Sequence, residues 1–300
     1  MFSIIRLSAI LMAIAIAITS PSLAAERDWS AVGKALGKQG TIMPGGVYRV
    51  ALPRTDFAVT LDGVTLKPGF ALGGWLAFAP MGDKAMVMGD LVMTQEEINP
   101  VMKQFEENGI QITALHNHLL RAQPATMYMH VQGEGEAEAL ARKLHDALVL
   151  TRTPLGAASG TSQPPAKAGP IDIDVPAIDR TLGAHGKVNG GVLQYGIPRR
   201  EQITDGGMTV PPAMGSAIGI NFQPTGQGKA AITGDFVLTA QEVNPVAKAL
   251  RENGIEVTAL HNHMLDDQPR LFFMHFWAND DAAKLAKGLR AALDHVATKS

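Results

Sequence analysis

Apolar side chains at Ile98, Val101, Met102 and Phe105 recur at the three-and-four spacing of one helical face, and Leu140, Leu144 and Leu148 stand four apart farther along. Thr94-Gln95-Glu96-Glu97 supplies a capping box for the first of these helices, and Asn108-Gly109 supplies its stop. Pro100 falls inside this stretch, so its first turn is expected to be kinked, or separate from a helix restarting at the proline. Period-two patterns predict strands over Ala85 to Met93, up to His116 and His118, and through Met127 to Val131, where Met127, Met129 and Val131 alternate with Tyr128 and His130. Ahead of them, Val47 to Val50, Phe57 to Leu66 and Phe70 to Ala79 are β-prone runs punctuated by Gly, Pro and Asp, which predicts hairpins. The later elements follow the order β-α-β-β-α, most of a ferredoxin-like sheet with helices on one face. In that arrangement the strand of His130 lies between the strand of Asp90 and the strand of His116 and His118.

The whole pattern then returns. Ala114-Leu115-His116-Asn117-His118 reappears as Ala259-Leu260-His261-Asn262-His263, about 145 positions later. With it return the capping box Thr239-Ala240-Gln241-Glu242, the stop Asn253-Gly254 and the leucines 285, 289 and 293. A period this long indicates two whole domains, since solenoid repeats run at about 20 to 50 residues. The fold class is therefore α+β in tandem duplication, each half a β-rich front part followed by the ferredoxin-like unit. The expected division is a leader over 1–24, a first repeat domain over 25–150, a Pro/Ala/Gly-rich linker over 151–170 and a second repeat domain over 171–300.

The leader carries Arg6, an apolar run from Leu7 to Ile18 and a small-residue exit at Ser22-Leu23-Ala24, which reads as a secretory signal peptide. Its apolar run is too short to cross a bilayer as a permanent helix. The expectation is a soluble periplasmic or secreted protein, cleaved near Ala24, without a membrane anchor. With no cysteine the chain has neither disulfides nor thiolate ligands, so any metal is held by nitrogen, oxygen or methionine sulfur. The 26 basic and 28 acidic side chains form no basic run, which argues against nucleic acid as a partner.

Six of the nine histidines fall at equivalent places in the two halves, His116, His118 and His130 against His261, His263 and His275. Residues two apart on a strand share a face, so His116 and His118 form a chelating pair about 7 Å apart at Cα. A third imidazole on the neighbouring strand completes the three-nitrogen set that zinc uses with an open fourth position and that copper also accepts. Whether His130 does so depends on register: an even sum of pairing indices puts all three histidines on one face, and an odd sum puts Met127 and Met129 there. Asp90 and Asp235, each behind a glycine, stand where a further ligand, an orienting partner or a general base is needed. Glu97 and Glu242 are accounted for by capping. Gly133-Glu134-Gly135 reads as a loop, as does its counterpart Ala278-Asn279-Asp280. The methionines 81, 86, 88, 93, 127 and 129 read as core in preference to copper ligands. No Gly-x-Ser-x-Gly elbow supports a serine hydrolase.

At Gly-Asp-Leu-Val-Met-Thr (89–94), Asn-Pro-Val (99–101), Asn-Gly-Ile (108–110), Thr-Ala-Leu-His-Asn-His (113–118) and Met-His (129–130), and at their second-half equivalents, the chain resembles the LppY/LpqO-like family of exported bacterial proteins of unknown function. The resemblance implies no reaction. The family's name implies lipoproteins, whereas this leader lacks the cysteine that lipid attachment requires. The residues themselves support three readings. The first is a metal-binding protein with a three-histidine zinc or copper site in each repeat, although a single site between the halves fits the pattern as well. The second is a metal-dependent hydrolase with Asp90 or Asp235 as base. The third is a ligand-binding or scaffold module with structural histidines. The partner in each case is a metal ion or small molecule, and the sequence leaves the oligomeric state open.

Overall fold

A computed structural model describes residues 27–156 and 171–299. The leader expected over 1–24 and most of the expected linker lie outside the described residues. The first half runs α1 (Ser30–Leu36), β1 (Thr41–Met43), β2 (Val47–Pro53), β3 (Val59–Leu61), β4 (Val64–Leu66), α2 (Pro68–Ala71), β5 (Gly73–Met81), β6 (Lys84–Met93), α3 (Gln95–Glu107), β7 (Gln111–His116), β8 (Met127–Gly135) and α4 (Ala137–Leu148). The second half follows as α5 (Val175–Leu182), β9 (Lys187–Asn189), β10 (Val192–Pro198), β11 (Thr204–Asp205), β12 (Met208–Thr209), a 3-10 turn (Pro212–Met214), β13 (Ala217–Gly226), β14 (Lys229–Thr239), α6 (Ala240–Glu252), β15 (Glu256–His261), β16 (Asp267–Gln268), β17 (Leu271–Asp281) and α7 (Ala282–Leu293).

Each half is built on one six-stranded antiparallel sheet, ordered β1-β2-β5-β6-β8-β7 in the first and β9-β10-β13-β14-β17-β15 in the second. The predicted β-α-β-β-α unit is β6-α3-β7-β8-α4, and β8 lies between β6 and β7 as its pattern required. Of the predicted front hairpins, β3 and β4 pair as a separate two-stranded sheet, while β1, β2 and β5 extend the main sheet beyond β6. One local expectation is corrected, and one alternative is excluded. Gly133 to Gly135 and Ala278 to Asp280 are the ends of β8 and β17, not loops, because β6 and β14 pair with them along their whole length. The helix bearing Pro100 is one continuous element from Gln95 to Glu107, and its first turn is neither separate nor restarted.

The central strands of each sheet are buried on both faces, which explains why β6 is nearly apolar throughout. Ala85, Val87 and Leu91 face Val101, Phe105, Leu140 and Leu144 of α3 and α4. Met86 and Met88, on the alternate positions, pack instead with second-half residues such as Ile220 and Met214. A further apolar cluster joins Phe70, Leu119 and Tyr128 to Val192, Ala231 and Trp277, so the faces away from the helices bind the two halves together. Asp90 shares the parity of Met86 and Met88, and His130 shares that of Tyr128. The fold therefore directs both toward the other half.

Both capping boxes form, with Glu97 and Glu242 accepting from the backbone N–H of Thr94 and Thr239 at 2.9 and 2.7 Å. Each glutamate also pairs with a buried arginine, Glu97 with Arg54 and Glu242 with Arg199, both at 2.7 Å. Thr94→Ala is expected to lower unfolding free energy by about 1 kcal/mol through loss of the side-chain cap. Urea denaturation measures this, and Thr239→Ala provides the replicate in the other half.

Candidate metal centre

The strand register decides the histidine arrangement. Ala114 pairs with His130 and His116 with Tyr128, an even sum, and in the second half Ala259 pairs with His275 and His261 with Phe273. All three histidines of each half thus face the other half. Bulges at Ile112/Ala114 and Val257/Ala259 precede this register on β7 and β15. The imidazoles then meet in pairs across the interface, His116 on His261 at 3.4 Å between ring centroids, His118 on His275 at 3.7 Å and His130 on His263 at 3.8 Å. Tyr128 stacks beneath His118 at 3.3 Å, and its counterpart Phe273 beneath His263 at 3.4 Å.

The remaining letters of the repeated motif hold the halves in this position. Thr113 donates its hydroxyl to the carbonyl of His263 at 2.6 Å, and Thr258 donates to the carbonyl of His118 at 2.5 Å. The Asn262 side-chain amide donates to the carbonyl of Thr113 at 2.8 Å, with Asn117 doing the same to Thr258 at 3.5 Å. These threonines and asparagines, with Tyr128, were not singled out by the sequence reading. The letter-for-letter return of Thr-Ala-Leu-His-Asn-His is the signal that marks the first two.

Ring orientation follows from fixed backbone carbonyls. Nδ1 of His116 lies 3.0 Å from the Asn117 oxygen, Nδ1 of His261 3.0 Å from the Asn262 oxygen and Nδ1 of His275 2.7 Å from the Gly234 oxygen. A carbonyl only accepts, so in all three rings Nδ1 carries the proton and Nε2 presents a lone pair. Gly234 permits the close strand approach beside this bond, since a Cβ there would fall 2.0 Å from the Gly219 oxygen.

Nε2 of all six histidines and Oδ1 of both Asp90 and Asp235 are buried without a hydrogen-bond partner. Leaving one such atom unpaired costs roughly 1–3 kcal/mol, and here eight gather in one cluster. Protons are a poor remedy. Burial pushes the pKa of His116 and His261 down to about 4 and that of His275 to about 3. Burial and neighbouring imidazoles hold His118, His130 and His263 well below the ordinary histidine range. Burial also pushes Asp90 up to about 8, aided by the charge of Asp235 and opposed by Arg49, and it raises Asp235 against the pull of His275 and His261. A divalent cation satisfies neutral imidazoles and carboxylates together, so these donors fit a metal ion.

Three sets of imidazole nitrogens each lie within 4.8 Å of one another: His116, His118 and His130; His116, His261 and His275; and His130, His261 and His263. His116, His118 and His130 thus form one set within the first half, whereas His261, His263 and His275 join sets that draw on both halves. Any two of the three sets share a ring. Asp90 reaches His130 and His118 at 3.9 Å each, while Asp235 reaches His263 at 3.3 Å and His275 at 3.9 Å. The methionines are packing residues: Met86 and Met88 lie between the sheets, and Met93 and Met129 under the helices.

Fold and centre together define a duplicated α+β protein whose histidine cluster is assembled from both halves. The family described as Domain of Unknown Function (DUF1259) matches residues 30–150 and again 176–295, and the chain belongs to it. No curated protein matches the chain. Among solved structures it is similar to the trimeric bacterial microcompartment shell protein PduB at 11% identity and a TM-score of 0.19, over 83% of this chain and 88% of that one. It is also similar to EtuB from Clostridium kluyveri at 8% identity and a TM-score of 0.20, over 85% and 88%. Overlays this loose carry no argument about fold or function. Among the described residues no helix is long and apolar enough to cross a membrane.

Proposed function

We propose that this chain is an exported metal-binding protein of the LppY/LpqO-like kind, holding one divalent transition ion between its halves, zinc in preference to copper. The supporting observation is the convergence of six orphaned Nε2 atoms, at least three of them on rings oriented by backbone carbonyls. The three compact sets overlap pairwise, and each ring has one nitrogen to give. One ion therefore occupies the centre at a time. Zinc–nitrogen bonds of about 2.0–2.1 Å keep ligands within about 4.2 Å of one another, so a small inward movement of the rings closes any of the sets.

Calorimetric titration of metal-free protein with Zn²⁺, followed by elemental analysis, is expected to give about one ion per chain. Two ions per chain would restore an independent three-histidine site in each half. No uptake of zinc, copper, nickel or iron at neutral pH would remove the reading and leave the histidines structural. Asp235, 3.3 Å from Nε2 of His263, also stands where a base for metal-bound water belongs. Screening the loaded protein against esters, phosphoesters, lactams and peptides tests that hydrolytic reading, and uniform inactivity leaves a binding protein.

A further inference from the structure

The two halves carry equivalent rows of residues into the centre, with one large difference in size. Across β2, β5, β6, β8 and β7 the successive register partners are Ala51, Trp75, Asp90, His130 and Ala114. Across β10, β13, β14, β17 and β15 they are Gly196, Gly219, Asp235, His275 and Ala259. Opposite partners on antiparallel strands project from the same face. Trp75 and Gly219 therefore occupy equivalent places beside the two carboxylates, on the face that bears the histidines.

Trp75 fills its place. The guanidinium of Arg49 lies 4.0 Å over its ring and donates to the carbonyl of Ala213, which ties the ring to the 3-10 turn of the other half. A Cβ on Gly215 would lie 3.0 Å from Trp75 and 3.9 Å from Nδ1 of His263, so the indole sits close beside the histidine cluster. In the second half Gln194 stands in place of Arg49. A Cβ added at Gly219 or Gly196 would meet nothing within 4 Å. Gln194 and Asn221 reach sideways to the carbonyls of Gly69 and Phe70 at 2.7 and 3.2 Å, so uncharged amides and backbone border the space beside Asp235. A cation approaching Asp90 meets Arg49 and the indole, whereas at Asp235 neither stands in the equivalent place.

We propose that the space over Gly219 is the route by which the metal dication reaches and leaves the histidine centre, and that Trp75 with Arg49 closes the equivalent route in the first half. The proposal rests on the metal-binding reading above. Its test exchanges the two residues in the full chain and follows Co²⁺ by visible absorption, loading by stopped flow and release into excess chelator. Gly219→Trp is expected to slow loading and release alike by about tenfold or more, within the range over which gating changes association rates. The dissociation constant and the stoichiometry should stay as in the wild type, because a blocked route raises the barrier in both directions. Trp75→Gly, alone or with Arg49→Gln, is expected to speed both steps. Gly219→Leu is the smaller block if circular dichroism shows that the indole is not accommodated. Wild-type rates in Gly219→Trp or Gly219→Leu would overturn the route, as would wild-type rates in Trp75→Gly. So would a dissociation constant that shifts as far as the rates, because that reports an altered ligand set. Failure of the wild type to bind any metal at equilibrium is a separate result and overturns the metal reading itself.

Discussion

Replacing His116 and His261 together by alanine is expected to abolish metal binding, because no compact set of nitrogens survives the pair. His116 belongs to two of the three sets and His261 to two, and every set contains one or the other. Single replacements should rank by the same rule. His116→Ala, His130→Ala and His261→Ala each leave one set intact, whereas His118→Ala, His263→Ala and His275→Ala each leave two. Structural zinc is held with about 10–16 kcal/mol, so one ligand of four is worth about 3 kcal/mol, or roughly a hundredfold in affinity. Losses near that size are expected for the first three variants and smaller ones for the second three, measured by competition with a chelator of known affinity. Equal losses at His118 and His116 would overturn the shared-ring arrangement. A fall from two bound ions to one in His116→Ala would mean that each half binds on its own.

The parts of this centre that were legible in the sequence are those fixed within one element. The two-residue spacing of His116 and His118 sets their common face, and the capping boxes at Thr94 and Thr239 set where each helix begins. The side of the sheet shown by His130 depended on register, and the register is set beyond the bulge between Ile112 and Ala114, which leaves no local signature in composition. Least legible was how one half lies on the other. Stacking of His118 on His275 and of His130 on His263 depends on docking two sheets whose facing residues, Met86, Met88 and Tyr128 among them, read as ordinary strand positions. A clue lay in β6, where Met86 and Met88 are as apolar as Ala85 and Val87, the mark of a strand covered on both sides. Trp75 against Gly219 shows the limit of reading a duplication: the repeats agree on the ligands, while the position that distinguishes their surroundings has diverged from the largest side chain to none.

Metal-free protein should show a stability maximum near pH 6.5 that metal broadens upward. The histidines work on the acid side. His116 and His261 titrate at about 4 in the folded chain and near 6.5 unfolded. Between those values the unfolded state binds the extra protons, so stability rises with pH up to about 6.5 and is lost as pH falls below it. The other four histidines, also lowered, add with the same sign. Asp90 works in the opposite direction. Its folded value of about 8 lies above the ordinary 3.8, so it favours folding at low pH and loses that contribution as pH rises toward 8. Six histidines against two carboxyls leave stability increasing from pH 5 to 6.5, above the range of ordinary carboxylates. From 6.5 to 8 only the aspartate contribution remains, and stability declines. A bound dication removes the penalty on ionised Asp90 and Asp235, so metal-saturated protein should hold its melting temperature across pH 6.5 to 8. At a hundred times its dissociation constant the metal should add about 2.7 kcal/mol of stability. Melting curves at half-unit pH steps, with chelator and with Zn²⁺, measure both effects. Asp90→Asn should weaken the alkaline decline of the metal-free form while keeping the acid one. A metal-free melting temperature that does not change between pH 5 and 6.5 would show that the imidazoles are protonated in the folded chain, and six neutral donors could not then be what the centre presents to a metal.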